Sequence, residues 1–309
     1  MQQIIPPIEK AIIKSELAHD RFIRTSNNGG NEIYIVTHHD SPNVMREIGR
    51  LREVTFRSAG GGTGKEIDID EFDISDHPYK QLIVWSPEYE EIVGGYRYIK
   101  GNDAIDKSGK IHLATTELFE FSEKFVNDFL PYTIELGRSF VQPKFQPSAE
   151  NRKGLFSLDN LWDGLGSLTI DNPDIKYFYG KVTMYTDFNR EARDMILYFM
   201  HYFFPDKDRL VWSEKPLKIE QDMTIFRKSI EGLNYKEAHK ILNQNVRALG
   251  EHIPPLVNSY MNISPSMRTF DTAINDHFGE VEETGILVTI NDIYPSKKER
   301  HVDSYIRGK

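Results

Sequence analysis

The stretch QLIVWSPEYEEIVGGYRYI, residues 81–99, decides the class of fold. Its two apolar parts, 81–85 and 92–99, are rich in β-branched and aromatic residues, which favour strands. Between them stands Ser-Pro-Glu at 86–88, a combination that is typical of a turn. We therefore expect two antiparallel strands joined as a hairpin, and a sheet that contains such a hairpin is not purely parallel.

Strand and helix patterns alternate on both sides of this hairpin. Upstream, residues 32–37 alternate as a strand, and Ser41 and Pro42 supply an N-cap and a first-turn proline for a helix that reaches Phe56. Downstream, the patterns predict strands at 133–141, 177–185, 256–261 and 285–290, and helices at 158–168, 189–204 and 234–249. Hairpins mixed with crossover helices predict an α/β (α+β) fold with a mixed twisted sheet flanked by helices.

The chain of 309 residues shows no internal repeat, low-complexity tract or linker, so we expect a single domain over residues 1–309. Three segments lie outside the simple alternation. An amphipathic helix is expected at 8–18, a helical excursion at about 215–250, and late strands at about 253–292 that complete the sheet.

Composition excludes several classes of function. The net charge of −9 argues against nucleic acid as a partner, and the absence of cysteine excludes disulfides and thiolate catalysis. We expect no metal site, because the neighbouring side chains of His38-His39-Asp40 point to opposite faces of a strand. The N-terminus lacks the pattern of a secretory signal, and the most apolar stretch, 195–204, is too short to cross a bilayer. These features predict a cytoplasmic protein, and peripheral contact with the inner face of the membrane stays open.

Two short motifs imitate known sites. Residues 59–66 resemble a phosphate-binding P-loop, but two of the required residues are missing and the loop follows a helix instead of a strand. We interpret it as a loop beside a site or as a plain surface loop. His201 and Asp206 match the His-x4-Asp pattern of glycerolipid acyltransferases, which ten histidines produce about once by chance. Packing at a helix end explains His201 equally well.

Charged residues within apolar strand patterns mark the candidate site. Glu135 and Arg138 stand in the strand at 133–141, and Arg97 stands in the second hairpin strand. A carboxylate such as Glu135 is suited to accept the proton of an amine nucleophile, directly or through water. Residues three apart on a regular strand face opposite sides, so either a bulge at Gly137 turns Glu135 and Arg138 to one face or they serve different partners. A buried structural ion pair explains the same pattern.

Arg152, Lys153 and Gly154 stand just before the helix predicted at 158–168. Two cations, free backbone N–H groups and the positive end of a helix together suit a phosphate. A solvated turn is the alternative interpretation of the same three residues.

These segments resemble the acyl-carrier-dependent N-acyltransferases of the GNAT superfamily, the ornithine and glycine lipid synthases that are often labelled hemolysin-like. The resemblance runs from about residue 30 to residue 292 and includes Leu161-Trp162-x-Gly164 and a Pro-Pro-Leu-x-x-x-Tyr stretch that ends at Tyr260. A fainter similarity connects the chain to the acyl-homoserine-lactone synthases. The charged site residues of the family match, in order and spacing, Arg52, Phe56, Asp70, Asp73, Arg97, Glu135 and Arg138.

The resemblance implies a GNAT-like fold and a role for each matching residue. Glu135 and Arg138 are implied to be catalytic and to sit on the central strand. The acyl-pantetheine arm is implied to lie where two neighbouring strands splay apart. The implied binding residues are, for the substrate, Arg52, Phe56, Asp70, Asp73, Arg97 and Ser139, and for the phosphate of the arm, Arg152, Lys153 and Gly154.

The implied reaction moves a (3-hydroxy)fatty acyl group from acyl carrier protein to the amine of glycine or ornithine in aminolipid synthesis. The donor is an acyl-phosphopantetheine, and no cofactor is bound permanently. Phe156 occupies the second glycine position of the usual GNAT loop, which favours a carrier protein over acyl-CoA. Asp163 follows Trp162 where the family has a basic residue, so the carrier-docking surface is not carried over. Two alternatives remain: a lysophospholipid O-acyltransferase that uses His201 and Asp206, and a GNAT-like acyl-pantetheine-binding module without turnover.

Overall fold

The computed structural model describes residues 1–146 and 154–306 of the chain. In these ranges the strands are β1 (Phe22–Thr25), β2 (Glu32–Val36), β3 (Lys80–Ser86), β4 (Glu91–Lys100), β5 (Glu120–Phe121), β6 (Thr133–Val141), β7 (Tyr177–Met184), β8 (Val211–Trp212), β9 (Arg268–Asn275) and β10 (Val281–Thr289). The α-helices are α1 (Lys10–Glu16), α2 (Pro42–Ser58), α3 (Glu71–Ile74), α4 (Ser157–Asp171), α5 (Arg190–Phe203), α6 (Thr224–Ile230), α7 (Tyr235–Ala248), α8 (Pro255–Met261) and α9 (Pro295–His301).

The main sheet has eight strands in the order β1-β2-β3-β4-β6-β7-β10-β9. Among the described strands of this sheet, neighbours pair antiparallel except β6 and β7, which pair parallel. The predicted hairpin is confirmed as the antiparallel pair β3–β4, so the expected mixed sheet is present. The parallel pair β6–β7 requires a crossover, which α4 supplies.

Helices cover both faces of the sheet. We call the side on which α4, α5 and α8 pack the α4 face; α7 lies against α5 on the same side. The opposite side is covered by α2 and by the segment 101–132, and we call it the α2 face. Along each strand, successive side chains alternate between the two faces. On β4, for example, Tyr96 and Tyr98 belong to the core of the α4 face, whereas Ile99 belongs to that of the α2 face.

The starts of α7 and α2 show a local and a distant source of capping. The capping box at the start of α7 is confirmed, because the Asn234 side chain accepts a hydrogen bond from the Glu237 N–H at 3.1 Å. The predicted cap of α2 differs in detail. Ser41 stands at the N-cap but makes no side-chain capping bond, and the Glu16 carboxylate from α1 accepts from the N–H groups of Asn43 and Val44 at 2.9 Å instead. A residue distant in sequence thus supplies the cap.

The late part of the chain contains one error of prediction. Residues 256–261 were expected to form a strand, but they belong to helix α8. Pro255 occupies the first turn of that helix, a start signal that the apolar run obscured. The strand expected at 285–290 is confirmed within β10, whereas β9 was not predicted. The other predicted helices and strands are present with small shifts at their ends, the helix expected at 8–18 being the shorter α1.

The helices in the described ranges are all too short or too polar to span a lipid bilayer.

Candidate active site

A cleft opens in the middle of the sheet where β6 and β7 part. The two strands are paired from Thr133 and Tyr177 as far as Leu136 and Gly180, and beyond that point they diverge. The space between them has a volume of about 620 Å³, including the part that is open to solvent. The parting of two strands that the family resemblance implied is therefore present, and it joins the two faces of the sheet.

The two ends of the cleft differ in polarity. The end towards the α4 face is mainly apolar and is lined by Tyr96, Leu136, Phe178, Leu256, Tyr260, Ile286 and Val288. The end towards the α2 face carries most of the charge and is lined by Phe56, Arg138, Lys181, Thr183, Phe278 and Glu283. An acyl or pantetheine chain suits the first end, and a small polar molecule suits the second.

A bulge in β6 settles how its charged residues are oriented. Gly95 of β4 pairs with Phe140 and Arg97 pairs with Gly137, so β6 uses one extra residue between these two positions. Arg138 lies in the bulge with a φ of 48°, in the left-handed region that residues other than glycine rarely adopt. The bulge turns Arg138 towards the α2 face, the side on which Glu135 also lies. The bulge expected by the first interpretation is present, but Glu135 and Arg138 also bind different partners, as the second interpretation held.

Glu135 is enclosed by partners of its own. Its side chain is buried, and its carboxylate accepts hydrogen bonds from the Tyr79 hydroxyl and from the Thr115 N–H, the latter at 3.1 Å. The Tyr79 hydroxyl in turn accepts from the Ala114 N–H at 2.8 Å. Burial raises the pKa of Glu135, although these hydrogen bonds and the charge of Arg97 oppose the rise. Such a carboxylate is a stronger proton acceptor than an exposed one.

The other predicted charged residues form a chain of ion pairs. Arg52 contacts Asp73 at 3.0 Å, and Arg97 contacts both Asp73 at 3.3 Å and Asp70 at 2.7 Å. The side chains of Arg52 and Asp73 are fully buried. Burial opposes the ionisation of Asp73, but the charges of Arg52 and Arg97 lower its pKa well below the ordinary value.

This chain of ion pairs ends at the cleft. Arg138 contacts Asp68 at 2.8 Å and Asp70 at 3.6 Å, and its guanidinium lies 4.2 Å from the centre of the Phe278 ring. Of the eight residues expected to be catalytic or to bind substrate, the cleft lining contains Phe56, Arg138 and Ser139. The remaining five do not line the cleft: Glu135 is bound by Tyr79 and Thr115, and the other four form the ion-pair chain that reaches Arg138, namely Arg52, Asp70, Asp73 and Arg97.

Among the polar residues of the cleft lining that escaped the sequence analysis are Tyr179, Lys181 and Glu283. The hydroxyls of Tyr179 and Thr115 are buried without a hydrogen-bond partner among the described residues, and Thr115 reaches the Glu135 carboxylate through its backbone N–H. Lys181 and Glu283 form an ion pair across β7 and β10. The sequence signal for Lys181 and Glu283 was a charged residue within an apolar strand, which is the same signal that identified Glu135 and Arg138.

The Pro-Pro-Leu-x-x-x-Tyr stretch lines the apolar end of the cleft. Helix α8 presents Leu256 and Tyr260, which are four residues apart and therefore on one side of the helix. The Tyr260 ring lies 5.4 Å from that of Trp162 in an edge-to-face arrangement, so the two motifs that carried the family resemblance meet here. Burial raises the pKa of Tyr260 well above its ordinary value.

The predicted phosphate contact is only partly described. Arg152 and Lys153 lie outside the described residues, and Gly154 lies directly before α4. A Cβ atom at Gly154 would stand 1.9 Å from the carbonyl oxygen of Phe145, so only glycine fits at this close approach. Helix α4 begins without a side-chain cap, which leaves N–H groups of its first turn available to a ligand.

The glycine-rich loop lies beside the polar end of the cleft, as one of its two interpretations held. The Glu53 carboxylate accepts hydrogen bonds from the N–H groups of Thr63 and Gly64, at 3.1 and 2.8 Å, and so fixes the loop. A Cβ atom at Gly61 would come within 3.4 Å of the Phe278 carbonyl oxygen. Nothing in this geometry resembles the cradle of a P-loop.

Of the His-x4-Asp pair, Asp206 has structural partners. Asp206 accepts hydrogen bonds from the N–H groups of Asp208 and Leu210, and its carboxylate also lies 3.5 Å from Arg268. His201 is exposed at the end of α5. In the described part of the chain no group of three or more potential ligands could hold a metal ion.

Comparisons with known proteins agree with this geometry. Residues 51–152 match the acetyltransferase (GNAT) domain family. The chain is 56% identical over 312 residues to a glycine N(alpha)-acyltransferase of Phocaeicola vulgatus, a match that covers 99% of this chain and 94% of the relative. It is 54% identical over 309 residues to a glycine N(alpha)-acyltransferase of Bacteroides thetaiotaomicron, covering 100% of this chain and 92% of the relative.

Solved structures are more remote. The acyl-homoserine lactone synthase BjaI with SAM and isopentyl-CoA matches at 15% identity and a TM-score of 0.33, covering 54% of this chain and 72% of that one. The synthase LasI matches at 13% identity and a TM-score of 0.31, covering 54% of this chain and 77% of that one. The family of this chain is therefore identified by the two relatives that match along nearly their whole length.

Proposed function

This chain belongs to the GNAT N-acyltransferase family that includes the two glycine N(alpha)-acyltransferases, and we propose that it transfers a fatty acyl group from acyl carrier protein to the amine of glycine. The bond that breaks is the thioester C–S bond, and the bond that forms is the amide C–N bond. The acceptor ammonium loses one proton before the attack and a second as the amide forms; one goes to the base and the other to the departing thiolate, so that the carrier leaves as a free thiol. The product is an N-acyl amino acid, which is an aminolipid.

The observation that carries the proposal is the cleft between β6 and β7 with its two unlike ends. A thioester that enters from the apolar end brings its carbonyl carbon to the point where the strands part, and an amine that enters from the polar end meets it there. Holding both reactants in one place removes much of the entropic cost of their encounter. Leu136 and Phe178 line the apolar end of the cleft, and Arg138 and Lys181 line its polar end.

Glu135 is the proposed final acceptor of the amine proton. It does not line the cleft, and the proposed proton path runs through a water molecule past Tyr179 of the cleft lining and Thr115, since neither of these two hydroxyls is hydrogen-bonded to another described residue. Burial raises the pKa of Glu135 and makes it a better base near neutral pH. Arg138 faces the cleft from the bulge and is placed to orient the acceptor.

The proposed donor is a carrier protein. Arg152 and Lys153, together with the uncapped first turn of α4, are the proposed contacts of the pantetheine phosphate. Phe156 stands at the N-cap of α4, where a GNAT loop that binds coenzyme A pyrophosphate has glycine. A carrier protein presents one phosphate instead of a pyrophosphate, so it does not need that glycine.

The experiment is a comparison of donors with the purified protein. We expect N-acylglycine and free carrier thiol to form together from acyl carrier protein and glycine. We also expect the kcat/KM for acyl carrier protein to exceed that for acyl-CoA by about tenfold or more, equivalent to about 1.4 kcal/mol. Equal or better turnover with acyl-CoA contradicts the donor assignment, and the absence of N-acyl product with either donor contradicts the activity.

A further inference from the structure

The polar end of the cleft holds a cluster of charges that neither the family comparisons nor the ion-pair chain of Arg52 explains. Glu283 of β10 stands opposite Thr183 of β7, and Lys181 lies two residues before Thr183 on the same side of that strand. The Lys181 ammonium forms an ion pair with Glu283, and the Asn275 side chain donates to the same carboxylate at 2.8 Å. The side chains of Lys181 and Glu283 are 11% and 4% exposed, yet both line the cleft.

A second cation faces this pair from the other side of the cleft. Arg138 stands on β6, across the parting from β7, and its charge contributes to the electrostatic environment of Glu283. One described ion pair of Arg138, with Asp68, is short, and the contact with Asp70 is longer at 3.6 Å. A guanidinium has five N–H donors and a lysine ammonium has three, so both residues keep donors for a ligand.

We propose that Lys181, Arg138 and Glu283 form the subsite that binds the acceptor as an amino-acid zwitterion. The carboxylate of the acceptor lies between the two cations, and its ammonium group contacts the second oxygen of Glu283. This inference rests on the proposed function, and it adds which residues recognise the acceptor and why an amino acid is preferred to a plain amine. An oppositely charged pair inside a narrow cleft is complementary to a molecule that carries both charges on neighbouring atoms.

The walls of this end favour an acceptor without a side chain. The rings of Phe56 and Phe278 meet edge to face with their centres 5.0 Å apart. Beyond Phe278, the chain turns at Gly279, where an added Cβ atom would stand 3.0 Å from the Cα atom of Gly61. Two aromatic rings and two backbone segments therefore close the space next to the charges, and we expect glycine to be preferred to ornithine.

Binding and proton removal are divided between two carboxylates. Burial opposes ionisation of Glu283, but the Lys181 ammonium and the Asn275 amide lower its pKa below the ordinary value. A carboxylate of low pKa stays ionised and attracts an ammonium group, but it takes up a proton poorly. Glu135, with its raised pKa, takes that step.

The neighbouring residue on β10 supplies a matched control. Glu282 is also a buried carboxylate, and it pairs with Arg193 at 3.0 Å, but it points to the α4 face and does not line the cleft. Glu283→Gln should raise the KM for glycine by about tenfold or more, about 1.4 kcal/mol, and leave the KM for the acyl carrier protein unchanged. Glu282→Gln should leave both KM values at the wild-type level in the protein that is folded.

A second variant covers the case in which the single change prevents folding. Lys181→Met combined with Glu283→Gln removes both charges, so no unpaired ion is left buried. In the wild type we expect kcat/KM for glycine to exceed that for 2-aminoethanol, which lacks the carboxylate, by about tenfold or more. The double variant should lose that preference.

The outcomes separate the inference from the activity on which it rests. If the wild-type protein acylates glycine, and either folded variant keeps the wild-type KM for glycine and the preference over 2-aminoethanol, the subsite is wrong while the activity stands. If the wild-type protein acylates no amine from either donor, the proposed function fails and the subsite with it.

Discussion

Glu135 and Glu283 are two buried carboxylates on the same face of one sheet, on opposite sides of the cleft. Glu135 is bound by neutral donors, the Tyr79 hydroxyl and the Thr115 N–H. Glu283 is bound by a cation, Lys181, and by an amide. Burial prevails at Glu135 and raises its pKa, whereas the charge of Lys181 prevails at Glu283 and lowers it.

The comparison shows that burial alone does not assign a role to a carboxylate. Both residues are almost fully buried in strands of the same sheet, so residue type and burial do not distinguish them. The neighbours decide whether the group is suited to take up a proton or to stay charged. The following variants test that division, from the largest expected effect to the smallest.

Glu135→Gln should have the largest effect. We expect kcat to fall by roughly 10²–10⁴-fold, the range for removal of a general base, while the KM for the donor stays the same. Raising the pH should recover part of the loss, because more of the amine arrives deprotonated. Steady-state kinetics over a range of pH, with the melting temperature recorded for each protein, measure this. Near-normal turnover in a well-folded variant contradicts the role of Glu135 as base.

Asp73→Asn tests the ion pairs that hold Arg97 near Glu135. Removing this carboxylate leaves Arg52 and Arg97 short of a partner, so we expect a loss of roughly 3–5 kcal/mol in the free energy of unfolding at neutral pH. Urea denaturation measures it, and Asp106→Asn, at an exposed site, should cost much less.

The effect of Asp73→Asn should also depend on pH. The folded-state pKa of Asp73 lies below its unfolded-state value because Arg52 and Arg97 stabilise the charge. The contribution of Asp73 is therefore fully present above the unfolded pKa and is lost as the pH falls towards the folded pKa. We expect the difference in stability between the wild type and the variant to narrow in acid; a constant difference contradicts the assignment.

Tyr79→Phe should have the smallest effect; it removes a donor to Glu135 and also the acceptor of the Ala114 N–H. The Tyr79 hydroxyl lowers the pKa of Glu135, so its removal raises that pKa further. The pH below which kcat declines should rise by about one to two units, as a hydrogen bond to a charged group is worth about 1.5–3 kcal/mol. The control is Thr183→Val, which removes the hydroxyl that donates to the Glu283 carboxylate at 3.3 Å. It should leave the pH at which kcat declines unchanged. If Thr183→Val moves the pH at which kcat declines, or if Tyr79→Phe does not, the assignment of Glu135 as the base is contradicted.

Part of the candidate site was predictable because its signal is local. A charged residue in an apolar strand is visible from the sequence, and that signal identified Glu135 and Arg138. The same signal was present at Lys181 and Glu283, but these residues are 102 positions apart, and nothing in either strand shows that the two are neighbours. Arg52 and Asp73 were identified through the family resemblance, and the structure shows them bound to each other behind the cleft.

The sequence by itself determined the mixed sheet, its main helices and the charged residues of the central strands, because the period of two in a strand and of 3.6 in a helix is set by neighbouring residues. It also carried the family resemblance. Only the tertiary structure decided that 256–261 is a helix lining the cleft, and that the bulge turns Arg138 to the side of Glu135. It also decided where β6 and β7 part, because strand order and the end of a pairing depend on packing between residues far apart in the chain.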